Sequence, residues 1–348
     1  MAALVLAAAA LPASAQARTG AIVFSLVTVE QPCCEVEGKA PDPITTGGLY
    51  ASRNGRFNQL TEDPTDSEPD FSADGRTIAF VRGGDIWAMR ADGSGQRQLT
   101  SGLEIDSRPL VSPNGRIVLF ERRAAEGAPR DLYTVRVTAG TVHALTQSPS
   151  DEHEASLSPD GRTVVFVRSV AETGGGTADD IYTMRPSGRQ LRRLTRTAHI
   201  DEFAPRYLDE RIVYSRGEST EGPGAYADIY AMNQRGRKVR KLIAGAGSSF
   251  VEDVTANGRT ILFRRDQGLW VKRLRHRGRK LAQLPDQSRT NAVFSSDGRK
   301  VAAFTATKEE ESLSVIDVAT GRRSFSEVVG GDGETTIGPV IAWQPVRR

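Results

Sequence analysis

One short motif returns through most of the chain. Asp74-Gly75-Arg76 recurs as Asn114-Gly115-Arg116, Asp160-Gly161-Arg162, Asp209-Glu210-Arg211, Asn257-Gly258-Arg259 and Asp297-Gly298-Arg299. Successive middle positions lie 40, 46, 49, 48 and 40 residues apart. An Asp-Gly or Asn-Gly pair signals a hairpin turn, because glycine adopts the positive φ such a turn requires. Each turn is followed by an apolar run: Ile78 to Val81, Ile117 to Phe120, Val164 to Val167, Ile212 to Tyr214, Ile261 to Phe263 and Val301 to Phe304. These runs are apolar at odd and even positions alike, as in a strand covered on both faces. A third segment opens with Asp85-Ile86-Trp87, Asp131-Leu132-Tyr133, Asp180-Ile181-Tyr182 or Asp228-Ile229-Tyr230. A fourth ends at Leu99-Thr100, Leu145-Thr146, Leu194-Thr195 or Leu242. Four strands per unit, at periods of roughly 40–50 residues, predict the blades of a β-propeller.

Six units are complete within the chain. Ala21 to Ser25, Gly48 to Tyr50 and Gln59 to Thr61 read as second, third and fourth strands that lack a first, and Pro339 to Pro345 supplies it from the far end. The expected fold is all-β: a single propeller of seven four-stranded blades, with six or eight as the neighbouring counts. The C-terminal strand closes the ring by pairing with the N-terminal blade, which removes the edges an open array would leave. Composition agrees. At 348 residues, 26% charged and 38% hydrophobic, with two cysteines, the chain is neither collagen-like, nor disordered throughout, nor a disulfide-stapled miniature.

Ala2 to Leu11 are uninterruptedly apolar, and Ala15-Gln16-Ala17 follow as a small-residue cleavage site. About ten apolar residues are too few to cross a hydrocarbon core of ~30 Å and suit a signal peptide instead. Residues 1–17 are therefore read as a leader and 18–348 as the propeller domain. That places the protein in the periplasm or outside the cell, without a membrane span. Cys33 and Cys34 are adjacent, so they form no C-x-x-C redox pair and no tetrahedral metal set by themselves.

Inner strands of a propeller line its channel, so residues just before them converge on one mouth. Asp66, Asp106, Glu152 and Asp201 take that place, with Glu68, Glu104, Asp151, Glu154 and Glu202 beside them. Four carboxylates in one ring repel unless a cation or a basic partner neutralises them. Their oxygens suit Ca²⁺, and His153 and His199 as further ligands would admit Mn²⁺. Ser249, Arg289 and Gly338 stand in the remaining units, so the ring is only partly acidic. Asp85, Asp131, Asp180 and Asp228 recur at one place in the repeat and read as acceptors of turn hydrogen bonds.

The net charge of +3 hides an uneven distribution. Residues 230–285 hold 14 Lys and Arg against three Asp and Glu. Arg235, Arg237, Lys238, Arg240 and Lys241 form one basic cluster; Lys272, Arg273, Arg275, Arg277, Arg279 and Lys280 form a second. Both fall at expected third-to-fourth-strand hairpins, on the periphery. Such a patch attracts anionic glycans, wall polymers or lipid headgroups in a salt-sensitive manner. Export speaks against nucleic acid.

The pattern F-S-A-D-G-R-T-I-A-F, then D-I-W-A-M-R-A-D-G-S and R-Q-L-T, over residues 71–100, resembles the TolB-like propeller repeat, a WD40-like repeat. Residues 157–195 carry the same signature. The resemblance implies a fold rather than a function. Similar repeats occur in TolB, in propeller domains of prolyl-oligopeptidase-type peptidases and in some oligosaccharide lyases. TolB resembles a six-bladed ring with an added N-terminal domain, for which residues 18–20 leave no room. The hydrolase domain of the peptidases is likewise not expected, and there is no G-x-S-x-G, H-E-x-x-H or phosphate-binding glycine loop. The expected function is a monomeric, non-enzymatic scaffold binding an envelope protein or anionic glycan, with no cofactor unless Ca²⁺ or Mn²⁺ occupies the channel mouth. The alternative is a metal-dependent lyase or hydrolase acting on acidic oligosaccharides.

Overall fold

Hairpin follows hairpin into seven four-stranded antiparallel sheets, the blades of a propeller. The structure is a computed structural model and describes residues 20–30, 44–53, 56–172, 175–218, 226–243, 247–285, 289–307, 310–330 and 335–343. The expected leader, Cys33 and Cys34 lie outside the described residues.

Blade 2 sets the pattern with Ser67–Phe71 innermost, then Thr77–Arg82, Asp85–Arg90 and Arg97–Gln98 at the rim. Its first turn shows how the repeated triplet works. Gly75 takes φ 67° and donates its N–H to the Ser72 carbonyl at 2.8 Å. The Asp74 carboxylate accepts from Ser72 Oγ at 2.7 Å and from the Arg76 N–H at 3.1 Å. Blade 5 departs from this. There Leu208 pairs directly with Arg211 across a two-residue turn, and Asp209 itself takes the positive φ, 56°.

At the other end of blades 2 to 4 the Thr of the repeat caps the third strand, and in blades 2 and 4 it also meets the Asp. Thr100, Thr146 and Thr195 each accept, at 2.8 Å, the N–H of Ile86, Leu132 and Ile181. Asp85 accepts from Gln98 Nε2 at 2.9 Å, and Asp180 from Thr195 Oγ1 at 3.1 Å. Of the recurrent aspartates, Asp131 and Asp180 accept a turn N–H, from Ser148 at 3.3 Å and Thr197 at 3.4 Å, whereas Asp85 accepts from side chains and Asp228 pairs with Lys241.

The core is divided into slabs between neighbouring blades. Ala79, Ile86 and Ala88 of blade 2 meet Val111, Val118 and Phe120 of blade 3. Val165 and Ile181 of blade 4 meet Tyr207, Ile212 and Tyr214 of blade 5. Second strands are buried on both faces because each supplies side chains to two such slabs. This is the reason their sequence does not alternate.

Blade 1 joins the chain ends. Thr335–Trp343 pairs with Ile22–Glu30, which pairs with Ile44–Arg53, which pairs with Arg56–Gln59. Ile341 and Trp343 pack with Phe304 and Leu313 of blade 7, whereas Ala342 sits with Ile78 and Phe80 of blade 2. The C-terminal strand thus closes the ring between the last blade and the first complete one. No helix among the described residues is long and apolar enough to cross a membrane.

Candidate functional site

Three of the four carboxylates expected at the channel mouth meet an arginine from the end of the next strand. Asp66 accepts from Arg82 Nε and Nη2 at 2.6 and 2.8 Å, and Asp106 accepts from Arg122 at the same distances. Glu152 lies 2.7 Å from Arg168 Nε. In blade 5 the register puts Glu202, not Asp201, opposite the arginine, Arg216, at 3.6 Å. Asp201 instead accepts the Asp179 N–H at 2.9 Å. All four paired carboxylates are buried. The guanidinium groups also lie over aromatic rings, Arg82 4.7 Å from the Trp87 centroid and Arg168 4.8 Å from that of Tyr182, a placement that favours the cation further. These side chains form a clasp at the end of blades 2 to 5. The arginine that follows each apolar run was the sequence signal for it.

His153 and His199 stand apart from this clasp. His153 Nε2 lies 3.6 Å from Asp179 Oδ2. Burial pushes its pKa down, but the Asp179 carboxylate and neighbouring Glu154 outweigh that, and the net direction is upward. His199 is exposed, with Nδ1 2.8 Å from Glu172 Oε2. Among the described residues no three His, Cys, Asp or Glu side chains are grouped to hold a metal ion.

A different set of carboxylates reaches the channel. Two residues after each clasp carboxylate the inner strand bulges, and Glu68, Arg108, Glu154 and Ala204 take φ between 49° and 53°. The bulge re-aims the strand, and the residues around it line a central cavity of about 480 Å³ with contributions from all seven blades. Its acidic members are Glu68, Asp70, Glu121, Glu154, Glu252 and Asp253; Arg108 and Arg206 are its basic ones.

Several of these acids also staple adjacent inner strands. Glu68 accepts the Arg108 N–H, Glu121 the Glu154 N–H and Glu154 the Ala204 N–H. Asp70 accepts the Val111 N–H and Asp253 the Phe294 N–H, each at 2.7 Å. Burial nevertheless dominates the titration of four of the cavity's acids. It pushes Asp70 and Glu252 up to about 7 and Asp253 up to about 6, against the downward pull of those hydrogen bonds and nearby arginines. Glu121 is also raised by burial, with Arg108 and Arg130 acting the other way. A cation entering the cavity would favour the ionised form of all four. The sequence reading included Glu68 and Glu154 among the flanking acids but missed Asp70, Glu121, Glu252 and Asp253. The facing of Asp70, Glu252 and Asp253 follows from the bulge, which no periodic pattern reveals.

The basic residues lie at the end of the blades opposite the clasps. Arg235, Arg237, Lys238 and Arg240 surround the turn between strands Ala227–Asn233 and Arg240–Ile243 of blade 5. Arg273, Arg275 and Arg277 surround the equivalent turn of blade 6, between Gly268–Arg273 and Arg279–Gln283. Lys241 Nζ is tied to Asp228 at 2.6 Å, and Lys272 Nζ donates to the His276 carbonyl.

No family model matches the sequence, and no curated protein matches it. Solved structures do share the fold. TolB from Acinetobacter baumannii superposes with a TM-score of 0.57 at 16% identity, over 92% of this chain and 83% of that one. The β-propeller domain of the Trilobed protease from Pyrococcus furiosus gives 0.63 at 11% identity, over 90% and 93%. An oligogalacturonate lyase from Vibrio parahaemolyticus gives 0.58 at 12%, over 81% and 87%. The P. furiosus domain is described as having an open velcro topology, whereas here the terminal strand seals the ring. At these identities the likeness is one of fold: this chain is a seven-bladed β-propeller, similar in fold to TolB.

Proposed function

We propose that the protein is an exported, non-enzymatic binding module that takes a cationic segment of an envelope protein into its central channel. The observation that carries this reading is the cavity lined by six carboxylates and two arginines, with Asp70, Glu252 and Asp253 held near neutral pKa by burial. Buried carboxylates that lack a full complement of cations attract a basic guest, and the guest in turn draws their protons off. The same charge repels an acidic oligosaccharide, which weighs against both the glycan partner at this site and the lyase alternative. Export rests on the apolar segment and small-residue site at residues 2–17.

The test is fluorescence anisotropy with a short labelled oligo-arginine peptide and the full chain. Binding weakens as salt is raised, and Asp70→Asn with Asp253→Asn lowers affinity on the order of tenfold. Asparagine keeps a side-chain oxygen for the Val111 and Phe294 N–H groups, so the double variant stays folded. Failure of the peptide to bind, or cleavage of oligogalacturonate by the protein, would contradict the proposal.

A further inference from the structure

One end of the propeller gathers exposed basic residues that the channel does not use. Antiparallel blades put first-to-second and third-to-fourth turns at one end of the molecule. The backbone confirms this: Leu274 N–H donates to the Arg259 carbonyl and Val318 N–H to the Arg299 carbonyl, tying one kind of turn to the other. The clasp carboxylates Asp66, Asp106, Glu152 and Glu202 lie at the other end, beside the second-to-third turns.

At the basic end, Arg235, Arg237, Lys238 and Arg240 of blade 5 and Arg273, Arg275 and Arg277 of blade 6 are exposed. Among the described residues none of the seven has a carboxylate within ion-pair distance. The tips of two neighbouring hairpins add an aliphatic side chain between polar neighbours. Leu191, in Gln190-Leu191-Arg192 of blade 4, is 46% exposed, and Val239, in Lys238-Val239-Arg240 of blade 5, is 47% exposed. An aliphatic tip gains nothing from a soluble polyanion. At a bilayer it enters the headgroup boundary while flanking cations meet the lipid phosphates.

We infer that this end of the propeller docks on a membrane rich in anionic phospholipid, through the outer hairpins of blades 4 to 6. The end that carries the clasps then faces away from the membrane. The docking surface and the channel use different residues, so either function stands or falls without the other.

Vesicle flotation with the full chain tests this. The protein floats with phosphatidylcholine vesicles that contain phosphatidylglycerol, stays behind with phosphatidylcholine alone, and is released by high salt. Arg237→Glu with Arg240→Glu and Arg277→Glu weakens partition at least about tenfold. Leu191→Ser with Val239→Ser weakens vesicle binding but leaves retention on a heparin column unchanged, a difference a soluble-polymer site would not produce. Circular dichroism confirms that each variant is folded. The inference is overturned if folded protein ignores anionic vesicles, if it binds neutral ones equally, or if it is retained by heparin alone.

Discussion

Removing residues 335–348 leaves a propeller that melts at least about 10 °C lower or fails to fold. The truncation takes away the strand that pairs with Ile22–Glu30, where Ile22 stands opposite Trp343 and Phe24 opposite Ile341. It also strips two core slabs at once, since Ile341 and Trp343 serve the slab with blade 7 and Ala342 the slab with blade 2. Burying one large apolar side chain stabilises by roughly 1.5–3 kcal/mol, so the two large residues alone account for about 3–6 kcal/mol. Native domains are stable by only about 5–15 kcal/mol in total, and each kcal/mol moves the melting temperature of a large domain by ~2–4 °C. The freed edge of Ile22–Glu30 would in addition favour association between chains. Thermal melting by circular dichroism reads the result. An unchanged curve would mean that blade 1 is held without its terminal strand and that the closure carries no stability.

The second large effect concerns the clasp. Asp106 is 1% exposed and takes both hydrogen bonds of a bidentate pair with Arg122. The guanidinium lies 5.2 Å from the Tyr133 ring centroid and 5.4 Å from that of Phe120. Replacing Arg122 with Met keeps much of the packing but strands a buried carboxylate. Breaking a buried pair from one side costs about 3–5 kcal/mol, whereas replacing both partners with apolar groups is often near neutral. Arg122→Met therefore lowers stability by an amount in that range, and Asp106→Leu with Arg122→Met restores most of it. Chemical denaturation of the three variants decides the matter. A single variant within about 1 kcal/mol of the parent would show that the pair is an ordinary surface contact.

The fold was open to reading because its determinants are local. A glycine turn, a doubly apolar strand and an Asp-Ile/Leu-aromatic segment recur close together, and the unpaired segments at the two ends needed each other to complete a blade. The site was only half legible. Asp66, Asp106 and Glu152 were found, but as an open ring; their pairing with Arg82, Arg122 and Arg168 depends on strand register. A register is set by the paired strand, and one residue's slip exchanges the two faces. That is how Glu202 comes to hold the place expected of Asp201. The channel acids were harder still. Asp70 and Asp253 sit after a bulge that breaks the two-residue alternation, so no count along the strand shows which way they face. The basic hairpins were found because clusters of like charge survive any register.

The central claim is that buried channel carboxylates, rather than ordinary surface acids, receive a cationic guest. The pH dependence of oligo-arginine affinity tests it most directly. Asp70, Glu252 and Asp253 release their protons near pH 6–7 because burial disfavours their charged forms. Surface carboxylates do so near pH 4, and arginine stays charged throughout. Affinity should therefore climb as pH rises from 5 to 8, with protons released on binding at neutral pH. Affinity that is level across that range would place the guest on surface acids and contradict the channel as the binding site.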